Sequence, residues 1–126
     1  MAVSEAQQLF VRMLELTSVN NLDGPRVASD LLANQHLWRS FVFTREGALA
    51  VLALRDLPDN CLNYDTLFIL ATPTRQVELQ ALVEKWQPDE LDWIGLDEAR
   101  RKLGGRRSIQ GFEEDTARVL LRVWWD

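Results

Sequence analysis

Two short apolar runs restrict the folds open to this chain more than any other feature. "ALAVLAL" (Ala48 to Leu54) and "TLFILA" (Thr66 to Ala71) carry apolar side chains at nearly every position. Successive residues of a strand point to opposite faces, so a run that is apolar throughout needs cover on both sides. Both runs are short and bounded by polar, turn-forming stretches, which favours strands over helices. The expectation is a sheet with an apolar layer above and below it, and the rest of the chain must supply those layers.

Helical spacing supplies them. Ser4, Glu5, Ala6 and Gln7 form a capping-box pattern, with Ser4 as N-cap and Gln7 at the third helical position. Ala6, Leu9, Phe10, Met13 and Leu14 then repeat at helical spacing, which predicts a first helix to about Leu16. "NNLDGP" reads as a loop. Asp23 or Gly24 caps a second helix with Pro25 in its first turn, Val27, Ala28, Leu31 and Leu32 on its apolar face, and Asn34 as its stop. A third helix begins at Thr72 with Pro73, or at Thr74, carries Val77, Leu79, Leu82, Val83 and Trp86 as its core stripe, and stops at Pro88. Asp97 caps a brief fourth helix to Leu103, closed by Gly104 and Gly105.

Between the helices the period changes. "WRSFVFT" (Trp38 to Thr44) alternates Phe41 and Phe43 against arginines and predicts a strand. "REG" (Arg45 to Gly47) turns it into the run Ala48 to Leu54, and the polar stretch Arg55 to Asp65 leads to Thr66 to Ala71. "ELDWIG" predicts a short strand with Leu91 and Trp93 on one side. A loop from Arg106 to Asp115 precedes the last strand, "TARVLLRVWW". The order is α-α-β-β-β-α-β-α-β, an α/β or α+β fold. At 126 residues it fits one domain. The segment from Thr66 to Ile94 predicts a right-handed parallel crossover joined to an antiparallel hairpin, hence a mixed sheet of about five strands with helices packed on it.

In the last strand Val119, Leu121, Val123 and Trp125 share one uniformly apolar face. Arg118, Leu120, Arg122 and Trp124 share the other, which reads as half-exposed. Trp125 is therefore expected in the core, and Trp124 near a surface beside Arg122.

The net charge of -5 argues against nucleic-acid and anionic-membrane partners, which call for excess Lys and Arg. A single cysteine, Cys61, precludes an internal disulfide and fits a reducing compartment. "MAVSEAQQLF" lacks the pattern of a secretory signal, and no run reaches the roughly 18 apolar residues of a membrane span. A cytoplasmic protein of bacterial type is expected.

Catalytic constellations are scarce. His36, the one histidine, sits in "NQHLW" at the end of the second helix, where a role at the last carbonyls is the simpler reading. Cys61 lies among Asp59, Asn60 and Asp65, surroundings that disfavour a thiolate. The acidic and amide side chains from Asp56 to Asp65 match no calcium-loop spacing and read as a solvated turn. One His and one Cys cannot build a zinc site. A metal-dependent nuclease would need an acidic-x-Lys pair on a strand, but Lys85 falls on a helix. No phosphate-loop or dinucleotide fingerprint is present.

The order of elements resembles the acetyltransferase superfamily, whose core runs two helices, a three-strand meander, helix, strand, helix, strand. "SFVFTREGALAVLAL" is similar to that family's central hairpin, and "LDEARRKLGG" to its late helix with the Leu-Gly that follows. The resemblance implies coenzyme A held at the turn that opens the helix after the third strand. Arg75 and the amides of Thr74, Arg75, Gln76 and Val77 would meet phosphate there, and Tyr64 or His36 would serve the acid-base step. The family's turn is glycine-rich; here it reads "ATPTRQVE" without a glycine.

The other candidates are surfaces. "LGGRRSIQGF" (Leu103 to Phe112) places Arg106 and Arg107 on a glycine-rich, locally basic loop. Five tryptophans are many for this length, and Trp and Arg are common interface anchors. Trp86 and Trp93 read as core-facing, Trp38 and Trp124 as partly exposed. The leading expectation is a module without catalysis or cofactor, of inhibitor, immunity or adaptor kind. It would bind another protein, or itself, through its C-terminal edge with Trp38, Arg106, Arg107, Arg122 and Trp124. The alternative is an acetyltransferase-like enzyme or coenzyme A-type binder using Thr74, Arg75, Gln76, Val77, Tyr64 and His36.

Overall fold

A computed structural model describes residues 3–19, 21–45, 56–102 and 120–126. The fold is α+β. Four helices are described, α1 (Glu5–Glu15), α2 (Gly24–Ala33), α3 (Gln76–Glu84) and α4 (Leu96–Lys102), with a two-residue hairpin, β1 (Ser18–Val19) and β2 (Leu22–Asp23). A four-strand sheet comprises β3 (Trp38–Thr44), β4 (Thr66–Ala71), β5 (Glu90–Ile94) and β6 (Leu120–Trp124). The expected strand at Ala48 to Leu54, the end of the fourth helix with its glycines, and the start of the last strand lie outside the described residues.

Local chemistry accounts for the helix ends. Ser4 caps α1 by accepting from the Gln7 N–H at 3.1 Å. The reciprocal half of the capping box is not made, because the Gln7 side chain bonds Phe41 in β3 instead. Asp23 is the cap of α2, its Oδ1 accepting from the Arg26 N–H at 3.2 Å. Gly24 has another role. Its N–H donates to the Thr17 carbonyl, and a Cβ there would run into the carbonyl oxygens of Leu14 and Thr17. Glycine is what lets α2 start against the end of α1. The "NNLDGP" segment, expected as a loop, uses the same close approach to form the β1–β2 pairing of Ser18 with Asp23. The fourth helix begins at Leu96, so Asp97 stands in its first turn and not at its cap.

The strand order is β3-β4-β6-β5, and every described neighbour pair is antiparallel. This corrects the expected parallel pairing of β4 with β5. β4 and β5 do run in the same direction around α3, as a crossover requires, but they are not neighbours. β6 lies between them, with Leu67 and Leu91 both registered on Val123. The last strand takes the interior position and pairs antiparallel with both, so β4 and β5 share no ladder.

β4 behaves as its sequence demands. Leu67, Ile69 and Ala71 join a large core with Phe41, Phe43, Leu121, Val123 and Trp125 beneath α1, α2 and α3. Phe68 and Leu70 point the other way, into a second cluster with Ile94, Leu120 and Ala99 of α4. Leu120 is thus buried, against the half-exposed reading of its face, because α4 covers that end of the sheet. Val77, expected in the core stripe, is 73% exposed. The buried line of this segment runs through Leu79, Val83 and Trp86, and Val77, two residues before Leu79, falls on the opposite side.

Four indoles are tied into this core. Trp38 Nε1 donates to the Leu31 carbonyl at 2.9 Å, and Trp86 Nε1 to Asp30 Oδ2 at 2.8 Å. Trp93 Nε1 donates to Gln80 Oε1 at 2.7 Å, and Trp125 Nε1 to the Trp86 carbonyl at 3.4 Å. The expectation of a partly exposed Trp38 is therefore wrong; it is buried, edge-on to Phe41 with ring centroids 5.1 Å apart. Its rotation inward satisfies a carbonyl at the end of α2.

Trp125 has no exposed surface and links β6 to the end of α3. Replacing it with alanine leaves a cavity and should cost about 3–5 kcal/mol, a large share of a domain's stability. Equilibrium urea unfolding of Trp125→Ala measures this; a loss under about 1 kcal/mol would show that the indole carries no core packing.

Candidate functional site

The surface residues singled out from sequence divide into three places. The first is the face of the sheet beneath β6 and β5. There the register lays out two rows across the strands, Val42–Phe68–Arg122–Asp92 and Thr44–Thr66–Trp124–Glu90. Arg122 Nη1 lies 2.9 Å from Asp92 Oδ2 and 3.8 Å from Glu90 Oε1, and its side chain is only 12% exposed. The arginine is engaged inside the sheet, its stem over apolar neighbours and its head on two carboxylates. Trp124, next to the fully buried Trp125, stays partly exposed. Among the described residues it is the one tryptophan whose indole N–H makes no hydrogen bond.

The backbone around Trp124 is nonetheless held firmly. Its carbonyl accepts from the Asp89 N–H at 2.9 Å, the Trp125 N–H donates to the Asp65 carbonyl at 3.1 Å, and the Asp126 N–H donates to Asp89 Oδ2 at 2.7 Å. An aromatic ring on a fixed backbone loses little freedom on contact with a partner. Arg106 and Arg107 lie outside the described residues.

The second place is a groove of about 850 Å³ between the start of α1, the end of α2 and the beginning of β3. Leu32, Ala33 and Trp38 give it apolar walls; Gln7, His36 and Arg39 add polar groups. The strand is irregular here, since Trp38 pairs with Ala71 and Ser40 with Leu70, leaving Arg39 as the extra residue of a bulge. The carbonyls ending α2 are already occupied: Asn34 Nδ2 donates to Asp30, Trp38 Nε1 to Leu31 and Gln35 Nε2 to Leu32. His36 is exposed on the 3-10 turn that follows and makes no hydrogen bond to these carbonyls.

The third place is the turn before α3. The Arg75 N–H donates to the Thr72 carbonyl at 3.0 Å, with Pro73 at the second position and Thr74 at φ 69° in the third. That is the pattern of a type II turn, whose third position favours glycine. Arg75, the helix-capping residue by position, pairs with Glu78 at 2.9 Å across exposed surface. Gln76 and Val77 open the helix behind it.

These groups divide between the two ends of the β3–β4 ladder. Tyr64 precedes β4 at the Thr44–Thr66 end of the ladder, edge-on to Phe43 with centroids 5.7 Å apart. His36 and the Thr72 to Val77 turn lie at the Trp38–Ala71 end, where the Thr72 N–H donates to the Leu37 carbonyl. The ladder between them measures roughly 17 Å at the rise of a strand. β4 and β5 are not adjacent, because β6 lies between them and pairs with both.

Cys61 is a half-buried free thiol whose Sγ approaches the Leu62 carbonyl at 3.6 Å. Among the described residues no three His, Cys, Asp or Glu side chains group to hold a metal ion, and no helix is long and apolar enough to cross a membrane. Sequence reasoning missed the bond between Gln7 and Phe41, the contribution of Leu32 and Arg39 to the groove, and the two carboxylates on Arg122. The i, i+2 spacing of Glu90 and Asp92 was a signal for the last, but it becomes a contact only once the register is known. No family model, curated protein or solved structure matches this chain.

The left-handed Thr74 gives a stability test. A β-branched residue in that conformation costs roughly 1–2 kcal/mol, more than glycine loses in chain entropy. Thr74→Gly should stabilise the protein by about 0.5–1 kcal/mol in urea melts. Unchanged or lower stability would mean that side-chain contacts of Thr74 outweigh its backbone strain.

Proposed function

We propose that this chain is a non-catalytic module that binds another protein, of inhibitor, immunity or adaptor kind, with Trp124 as an anchor. The observation that carries this reading is the contrast between two adjacent indoles. Trp125 is fully buried and hydrogen-bonded, whereas Trp124 is partly exposed, without an indole partner, on a backbone held at three points. A partner offering an apolar pocket with a hydrogen-bond acceptor would cover the ring and satisfy its N–H together. The rim already presents Glu90, Asp92 and the exposed Asp126, so a partner carrying cationic groups around that pocket fits the local charge.

The test uses the whole chain as bait in native extract, beside Trp124→Ala and Val77→Ala, the latter changing an exposed apolar residue far from this rim. A protein retained by the wild type and Val77→Ala is purified and titrated against all three. Trp124→Ala should lose about 2 kcal/mol of binding, roughly thirtyfold in affinity, while its urea midpoint stays near that of the wild type. Equal affinity for Trp124→Ala, or a monomer that retains nothing, would overturn the proposal.

A further inference from the structure

The register sets an acceptor directly across from Trp124. Glu90 is its partner on β5, and residues opposite each other in an antiparallel pair share one face, with Cβ atoms about 4.5–5.5 Å apart. A carboxylate accepts and an indole N–H donates, so the two are matched to bond. They do not bond. The Trp124 N–H makes no hydrogen bond among the described residues, and Glu90 Oε1 is turned to Arg122 Nη1 at 3.8 Å. On its other side Trp124 faces Thr66, which is fully buried and donates its hydroxyl to Asp65 Oδ1 at 2.7 Å. We propose that Arg122 is a positioning residue for Trp124: by holding the Glu90 carboxylate, it keeps the indole N–H open to an acceptor on a partner.

Charge decides where the Glu90 carboxylate goes. The guanidinium carries a full positive charge, whereas the indole N–H offers a dipole alone. Arg122 is also held in place, because its Nη1 lies 2.9 Å from Asp92 Oδ2 in the neighbouring row. Removing the arginine reverses the balance. Glu90 and Asp92 stand two residues apart on one face of β5, roughly 7 Å at the rise of a strand, and unshielded carboxylates repel. Glu90 then turns from Asp92 toward the donor across from it, the Trp124 N–H.

A closed N–H changes what a partner meets. An acceptor on the partner would have to displace Glu90 from the ring, whereas in the wild type it displaces water alone. That consequence rests on the role proposed for Trp124. The arrangement of the three side chains does not, and it is measured on the free protein, so either can fail without the other.

Proton NMR of the full chain reads the indole N–H directly, with the Trp124 signal identified by its loss in Trp124→Phe. In Arg122→Met, which keeps an unbranched apolar stem, this signal should move downfield and exchange with water about tenfold more slowly, as one added hydrogen bond implies. Adding Glu90→Ala to Arg122→Met should restore the wild-type position and rate. Arg122→Lys should also match the wild type, because one nitrogen makes both carboxylate contacts and a single ammonium can replace it. An unchanged signal in Arg122→Met overturns the proposal. So does slow exchange that persists in the double variant, or an Arg122→Lys protein that behaves as Arg122→Met. If Arg122→Met does not fold, Glu90→Ala alone decides. It should leave the Trp124 signal in place, and a tenfold faster exchange would show that Glu90 already holds the N–H.

Discussion

The structure depends on the pairing of β6 with two strands at once. Leu120–Trp124 lies between β4 and β5, and its residues are registered on both. Remove that pairing and β5 has no described neighbour in the sheet. The same strand sends Leu121 and Val123 into the main core, where Trp125 directly after it joins them, and Leu120 into the smaller one beneath α4. Backbone ladder and core packing thus act on one five-residue element. β4 and β5 are close in the chain, yet their shared sheet is complete only after a strand from far along the sequence inserts between them. Contacts of such separation make folding slower than a local crossover would.

Tryptophan use follows from this arrangement. Large rings fill the space between sheet and helices, and each buried N–H needs an acceptor. Trp38 and Trp86 take theirs from α2, Trp93 from α3, and Trp125 from Trp86, two residues past the end of α3. These bonds tie the helices to one another and to the sheet. Trp124 stands outside the network because the strand alternation that buries its neighbour turns it toward the opposite face. Its exposure is a consequence of geometry, and the proposed interaction makes use of it.

Much of the fold was legible because it is written in periodicity. "TLFILA" demanded cover on both faces and has it, and the alternation in "VLLRVWW" separated Trp125 from Trp124 correctly. The caps Ser4 and Asp23 were equally local. Strand order was not legible, because periodicity says which face is apolar and not which edge meets which strand. An antiparallel insertion by β6 and a parallel β4–β5 pair satisfy the same pattern. The burial of Trp38 depended on a carbonyl of α2 seven residues away, and the use of Gln7 on Phe41, 34 residues distant. The candidate site was legible only as residue types. His36 and Trp38 do border one groove, Tyr64 lies at the opposite end of the ladder, and Arg122 is held by carboxylates that sequence did not place beside it.

Native-state amide hydrogen exchange along β6 tests the central claim most directly. A strand bonded on both sides and packed on both faces opens only with the whole protein, so its amides should exchange with the global unfolding free energy. The prediction is that Leu121, Arg122 and Val123 fall in the slowest class, together with Ile69 of β4, and respond to denaturant with the same slope. Exchange of those three amides at rates typical of a fraying chain end, while Ile69 stays protected, would contradict the account.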